Sequence, residues 1–482
     1  MNYKSYNLAL DSFQKARNII PNLLADNLAR QDIFRIHTQL GIVFYIRAIA
    51  LWKEKGQASP DILINLLTKS AENLEKARAI DPNTYLPAYR LAKTFTALEI
   101  IHDSLFPNKP DPYNTGLVYQ EAIRLRLNGI GVHNSYARYL YYKKDFKGLK
   151  AIVQNMTRIY PAVYHKLKRE PFFSSDLLPE MEKGLLKALK QDIDLANAHS
   201  ALSSFYNDAG DYTKAIEHYK KFMTVKRYAD TWGNYLHQGY LYLRADSLDE
   251  SKSWFIKGLE KTDNFDSVIS RIHSIYKQLT LQDQFINFGI ELEKSGRLLP
   301  PGLDIEIAKA WMDKKQYEFA KARLYKLTNR YTDVRIYYLL ARIAQAEKNW
   351  DQMELYSQKA SRMDKKNSTY FHMCAQALYN QKKYASAEEM ADKAVKYSKK
   401  PNPWLFNHRA WTRWVQKKYS PAMSDWKEAF KLKPDNSSFP YYIALACEKK
   451  AIFQEAIFYI EKAIALNPDN KGYQELYKRL RN

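Results

Sequence analysis

An all-α solenoid, made by stacking helix hairpins side by side, is the fold this chain predicts, and three observations carry it. Over residues 302–470 an aromatic residue recurs at Tyr317, Trp350, Tyr384, Tyr419 and Phe453, at intervals of 33, 34, 35 and 34 residues. Three further columns keep step with it. They are Ala308, Ala341, Ala375, Ala410 and Ala444; Ala320, Met353, Ala387, Ala422 and Ala456; and Leu327, Ala360, Ala394, Ala429 and Ala463. The composition is that of an ordered chain, 46% hydrophobic with 15 glycines among 482 residues. A fixed period of this size marks a repeat array, in which each hairpin leaves an apolar face that only the next can bury. The small columns let helices approach closely, and the aromatic column is expected to fill the space between adjacent units. A carboxylate at Ala387 would then cost several kcal/mol, as a buried and unpaired charge.

Taken in order, residues 1–21 carry Ala9, Phe13, Ala16 and Pro21 at the spacing of Ala456, Ile460, Ala463 and Pro468. The chain therefore opens on what reads as the second helix of a hairpin. Such a start exposes an apolar face. Either residues 22–50 fold back over it, or the chain is a piece of a longer protein. Residues 29–54 read as one long helix. GQASPD breaks it, and Ser59 or Asp61 can cap the next helix, which ends on Leu74, Ala77 and Pro82. A first helix follows over 85–103. Pro107, Pro110 and Pro112 then predict a loop over 105–114. The array resumes over 134–161 with Ala137, Phe146 and Met156. Residues 162–195 keep the length of a unit but lose its packing residues. Residues 196–229 and 232–262 are strong units again, 263–300 reads as one degenerate pair, and KGYQELYKRLRN ends the chain as an amphipathic cap. The expected division is irregular repeats over 1–195, middle repeats over 196–300, five regular units over 301–470, and a cap over 471–482.

Several of these units share one pattern. Leu202-Ser203-x2-Tyr206 pairs with Ala215-x3-Tyr219, and Tyr235-x2-Gln238-Gly239-x2-Tyr242 with Ser251-x3-Phe255. Ala422-x3-Trp426 precedes Ala429 and Pro434, and Ala456-x3-Ile460 precedes Ala463 and Pro468. These resemble tetratricopeptide repeats, helix pairs of about 34 residues. The resemblance spans nearly the whole chain and fits poorly at 22–60, 105–128, 162–190 and 263–300. It implies a right-handed superhelix of about eleven hairpins and a role in binding other molecules; the fold by itself names no partner.

Composition bounds what those molecules are. Lys and Arg number 75 against 52 Asp and Glu, a formal net charge of +23. The excess is densest over 365–434, where fifteen basic residues face five acidic ones. Such a surface attracts anions, be they an acidic peptide, a nucleic acid, a lipid head group or a glycan; much of it also serves as a solvated Lys-rich face. The two cysteines, Cys374 and Cys447, fall beside the packing alanines of different repeats, so two buried free thiols are expected. No CxxC or zinc spacing is present. The longest apolar run, 40–52, is interrupted by Arg47, and no membrane span is expected. The N-terminus lacks the basic-then-apolar pattern of a signal peptide, which places the chain as written in the cytoplasm; as a fragment of a membrane protein it would be extracytoplasmic.

No catalytic motif, cofactor loop or metal-binding pattern is found in the sequence, and no cofactor is expected. The histidines His199, His218, His237, His273, His372 and His408 lie on different helices and read as packing or surface residues. Asn155, Asn367 and Asn436 begin glycosylation sequons, which occur often by chance. The better candidate is the inner face lined by the first helix of each unit. It gives Arg335, Tyr338 and Arg342; His372, Gln376 and Tyr379; Trp404, Asn407, Trp411 and Trp414; and Tyr441. Asn134, Arg138 and Tyr141 hold the matching places upstream. Aromatics with Arg and amides among them can stack rings and pair with anions. The same tryptophans can equally fill a widened gap between units. The family's peptide clamp, which uses Lys and Asn of neighbouring first helices, is incomplete, because Asn407 has only His372 and Tyr441 as neighbours in its column.

Three functions compete on this reading. The first is a non-catalytic scaffold that holds a protein or peptide, with an acidic one fitting the charge. The second is the soluble repeat region of a bacterial membrane-bound surface-polysaccharide polymerase or ligase. The third is a helical-repeat protein that binds RNA or another polyanion, although no regular base-reading set recurs from unit to unit.

Overall fold

The computed structural model describes residues 11, 12, 15, 27–53, 59–107, 112–225, 230–295 and 300–481. Of the reading of 1–21 as half a hairpin, Ala9, Phe13, Ala16 and Pro21 lie outside these residues. The chain divides into two compact units, 1–251 and 252–482. Among the described residues there is no strand, and each unit is an all-α stack of antiparallel helices.

The first unit contains α1 (Asn27–Lys53), α2 (Pro60–Ile80), α3 (Tyr85–Leu105), α4 (Thr115–Leu125), α5 (Ile130–Tyr142) and α6 (Phe146–Ile159). They are followed by α7 (Tyr164–Leu167), α8 (Leu178–Lys190), α9 (Leu195–Ala209), α10 (Tyr212–Val225), α11 (Trp232–Arg244) and the start of α12 (Leu248–Glu260). In the second unit come α13 (Phe265–Gln278), α14 (Gln282–Lys294), α15 (Gly302–Asp313), α16 (Tyr317–Thr328), α17 (Val334–Ala346) and α18 (Trp350–Met363). The remainder are α19 (Ser368–Asn380), α20 (Tyr384–Lys396), α21 (Pro403–Val415), α22 (Tyr419–Leu432), α23 (Ser438–Lys449), α24 (Phe453–Leu466) and α25 (Lys471–Arg481).

The periodic columns do what their spacing predicts. All fifteen residues of the three packing columns are buried, none more than 3% exposed. The aromatic column differs from expectation. Tyr317, Trp350, Tyr384 and Tyr419 are half-buried and Phe453 is exposed, so these rings cap the start of the second helix more than they fill a gap.

A second period appears only in the backbone. Lys315, Lys348, Lys382, Lys417 and Ala451 all have positive φ, and each lies two residues before the aromatic column. The amide that follows closes back on the first helix, as in Asn349 N to Ala344 O at 2.8 Å and Ile452 N to Cys447 O at 2.9 Å. This 6→1 closure is the Schellman C-cap, which satisfies the last carbonyls of a helix before the chain reverses. Lys144, Gly210, Asp246 and Thr280 hold the same place in the hairpins α5–α6, α9–α10, α11–α12 and α13–α14. The pair over 263–300 that reads as degenerate thus turns with the same geometry as the five regular units.

The irregular part departs from its reading in two ways. Residues 162–195 are shortened, with 3-10 turns at Pro161–Val163 and Ser175–Leu177 around the one-turn α7. They are nonetheless well packed: Val163, Tyr164, Leu167, Phe172, Leu177, Met181 and Leu185 form one core with α6 and α9. Packing residues are present there at spacings the regular pattern does not anticipate. The second departure is α1. Continuous over 27 residues, it contains a stretch, Arg30–Lys53, long and apolar enough by composition to cross a membrane, which corrects the expectation that no such segment exists. In this structure Leu40, Val43, Phe44 and Ala48 pack on Leu63, Leu66 and Leu67 of α2. Gly41 permits the close approach, since a Cβ there would stand 2.5 Å from Leu74. At the other end, α25 buries Tyr473, Leu476 and Leu480 and leaves its charged face to solvent.

Candidate functional site

Stacking brings the first helices of successive hairpins side by side, so residues far apart in sequence share one face. Where α13, α15 and α17 run together in the second unit, they enclose a cavity of about 300 Å³. α13 supplies Ser270, His273, Ser274 and Lys277, α15 supplies Glu306, Lys309, Met312 and Asp313, and α17 supplies Arg342 and Ala346; Tyr317 closes one side.

Its chemistry centres on a buried pair. His273 and Glu306 are 5% and 4% exposed, and His273 Nδ1 lies 2.8 Å from Glu306 Oε2. Lys309 Nζ donates to the other carboxylate oxygen at 2.6 Å. Burial alone would raise the Glu306 pKa, but the hydrogen bonds from His273 and Lys309 outweigh it and hold the group below its usual value. An ionised Glu306 only accepts, so Nδ1 carries a proton and Nε2 is turned to the remaining space. Nε2 has no hydrogen-bond partner and stands 3.9 Å from Asp313 Oδ2, which Lys277 holds at 2.7 Å. Phe285 stacks on the imidazole with centroids 4.6 Å apart and fixes its plane. Arg342 is exposed at the rim, with no carboxylate within 4 Å among the described residues and the Tyr338 ring 5.9 Å away. Two carboxylates face three cations, and the unbalanced charge is Arg342.

The other residues that the sequence singles out are placed as follows. Arg335 holds Asp333 and Asp266, each at 2.6 Å, and Tyr338 packs against Tyr370. Gln376 accepts from Gln345 at 2.8 Å. His372, Tyr379 and His408 form a ring cluster, with centroid separations of 5.0 Å for the two histidines and 5.8 Å for Tyr379 and His408. Both ring nitrogens of His408 are buried without a partner; burial and the neighbouring His372 push its pKa down to about 4. His372 also borders a wider recess of about 780 Å³ whose rim carries Lys366, Lys399 and Lys400.

On α21, α22 and α23 the rings pack on one another. Trp411 meets Trp414, Trp426 and Tyr442 edge-on, at 6.4, 5.4 and 4.9 Å. Asn407 accepts from the Trp426 indole at 3.0 Å. Tyr441 lies against Tyr442 and Tyr473, and Trp404, 50% exposed, touches Phe439 and Lys433. Beneath them Arg409 and Arg413 share Asp425, at 2.6 and 2.9 Å, and Asp392, at 2.9 and 3.0 Å. Upstream, Asn134 and Arg138 both bind Glu170, and Tyr141 lies against Phe172.

His273, Glu306, Lys309 and Lys277 are not among the residues that sequence reasoning selects for a binding role, and His408 is read there as a lone histidine. A polar residue in a first helix looks solvated until the neighbouring unit is placed against it. In the first unit, likewise, His199 and His218 meet with Nδ1 atoms 2.9 Å apart. The thiols match expectation: both are free and buried, and burial raises Cys374 to about 11 and Cys447 to about 12.

Comparison with known proteins fits this architecture. Residues 196–228 and 441–470 match the tetratricopeptide repeat family. The chain thus carries segments that match this repeat. Its two matched segments fall on α9–α10 and on α23–α24. No curated protein matches the sequence. Solved structures that align with it include the APC/C hetero-tetramer Cut9-Hcn1, 13% identical over 87% of this chain and 94% of that one, with a TM-score of 0.36. MamA from Desulfovibrio magneticus RS-1 is 17% identical over 31% of this chain and 83% of that one, at 0.30. The first TPR of Spaghetti (RPAP3), bound to the HSP90 peptide SRMEEVD, is 21% identical over 24% and 93%, at 0.23. Likenesses this loose assign no partner.

Proposed function

We propose that this chain is an interaction scaffold that anchors an acidic side chain of a partner polypeptide in the cavity between α13, α15 and α17. One observation carries the reading: Arg342 is an uncompensated cation at the mouth of a cavity whose floor holds a buried, unpartnered His273 Nε2. A carboxylate entering there gains a bidentate Arg contact at the rim. Below it, the buried Nε2 of His273 has no hydrogen-bond partner and faces the space the entering group fills. Lys309 and Lys277 raise the local potential while their own partners stay in place. The cavity suits a side chain, and the neighbouring faces of α17, α19 and α21 offer rings and amides for the flanking residues.

Selection from a random-peptide display library against the wild type and against Arg342→Glu tests this. Wild type should enrich sequences with Asp or Glu at a fixed position, and the variant should lose that preference. Equal enrichment by both proteins, or wild-type binding only to single-stranded RNA with a steep salt dependence, would remove the reading.

A further inference from the structure

The first unit has a cavity of a different kind. α1, α3, α4 and α5 enclose about 270 Å³, walled chiefly by Tyr45, Ile49, Trp52, Tyr119, Tyr139 and Tyr142. Into it reaches the amine of Lys93, 5.3 Å from the centre of the Tyr45 ring and 5.9 Å from that of Tyr89. No carboxylate lies within 4 Å of this amine among the described residues. The charges that act on it are of its own sign. Arg90 stands one turn away with its Nε buried and unpartnered, and Arg138 is held by Glu170 at 2.7 Å. Burial, with Arg90 and Arg138, lowers the Lys93 pKa. An ammonium kept among rings and other cations, with no counter-ion among the described residues, is costly for a fold to retain without a use.

The remaining polar groups of the cavity are already engaged. Tyr142 donates to Asp103 at 2.7 Å, and Tyr139 to Glu99 at 3.4 Å. Thr96 and Tyr119 share a hydrogen bond of 3.0 Å, and Ser135 pairs with Tyr89 at 3.0 Å. Among the described residues, the Lys93 ammonium and the Tyr45 hydroxyl remain beside the rings, and both can donate. The site thus offers one positive charge, two donors, and a wall of rings with room for a single ring or a short chain.

We infer that this cavity binds a small monocarboxylate with an apolar body, the carboxylate on Lys93 and Tyr45 and the body against Trp52, Tyr139 and Tyr142. A dianion is disfavoured, because of the two described cations that line the cavity Arg138 already serves Glu170, which leaves Lys93. A neutral sugar is disfavoured for want of free acceptors. An aryl acid and an acyl acid share the required chemistry, and paired probes distinguish them.

Titration calorimetry with 4-phenylbutyrate and with octanoate, each beside its primary amide, tests the inference on the full chain. At least one acid should saturate below about 1 mM, an affinity of roughly −4 kcal/mol. Its amide should bind at least about ten-fold more weakly, the loss expected for one charge-assisted hydrogen bond. Lys93→Met should abolish the difference between acid and amide while raising the melting temperature, since it removes a half-buried ammonium that Arg90 and Arg138 repel. The better acid identifies the body as aryl or acyl. No saturation by either acid below about 5 mM, equal affinity of acid and amide for the wild type, or an acid preference that survives Lys93→Met would each overturn it. The acid–amide comparison needs no variant and stands even if Lys93→Met folds poorly.

Discussion

Two clusters in the second unit use similar residue types for opposite ends. Around Trp411 the rings of Trp414, Trp426 and Tyr442 meet edge-on, Asn407 accepts the one buried indole N–H, and Arg409 and Arg413 are neutralised by Asp425, Asp392 and Glu388. Around His273 the polar groups outnumber their partners: Nε2 is unsatisfied, and Arg342 faces outward with no carboxylate. The contrast teaches that ring density marks where a repeat array is thick, whereas unsatisfied polar atoms beside a cavity mark where it is unfinished. Buried polar atoms in folded proteins are nearly always paired, so an exception calls for a functional account.

The sharpest way to break this contrast is to disturb the closed cluster. Asp425 is buried and carries two guanidiniums; burial raises its pKa even against their pull. Asp425→Ala should destabilise the second unit by about 3–5 kcal/mol, the cost of stranding buried charge. Urea denaturation followed by tryptophan fluorescence reads that loss. A shift under about 1 kcal/mol would mean that the arginines relax to water and the cluster is less closed than its geometry indicates.

A smaller effect is expected from pH. His408 and, in the first unit, His237 are each held neutral by burial, with pKa values pushed down to about 4. Their unfolded values lie near 6.5, so below that pH the unfolded chain takes up protons the folded chain refuses, and stability falls as pH drops toward 4. Between pH 7 and pH 5 each should cost about 1–2 kcal/mol, and His408→Phe should flatten the slope of melting temperature against pH. A slope unchanged in His408→Phe would show that His408 finds a partner in solution.

The smallest effect tests the turns. Ala451 sits at φ 55° in the position that Gly210 fills in another hairpin, at φ 82°. Ala451→Gly should stabilise the last hairpin by about 0.5–1 kcal/mol by relieving the left-handed strain, and Gly210→Ala should do the reverse.

Those turns also show what the sequence discloses. The fifteen packing residues were legible because a 34-residue period forces the same small side chain to the same helix crossing. The left-handed turn positions were not, because Lys fills four of the five in the regular block and a lysine does not announce positive φ. The packing of 162–195 was hidden for a related reason. Tyr164 and Phe172 do the work of alanine columns, and a search for alanines passes over them. Of the candidate site, Arg342 was legible from its place after Ala341, and His273 and Glu306 were not. Their meeting depends on a 33-residue separation across two hairpins, one of which reads as degenerate in sequence.

The central claim is that the unfinished cavity, rather than the ring-rich face of α21, anchors a partner. Fluorescence anisotropy of a labelled acidic peptide, taken from the display selection, on wild type, Arg342→Glu and Trp404→Ala tests it most directly. Both substitutions are at exposed positions and should leave stability within about 0.5 kcal/mol. Arg342→Glu should weaken binding at least about ten-fold, the expected effect of losing and reversing one charged contact, and Trp404→Ala should change it less than about two-fold. The reverse order, with Trp404→Ala abolishing binding and Arg342→Glu leaving it intact, would contradict the account and move the site to α21.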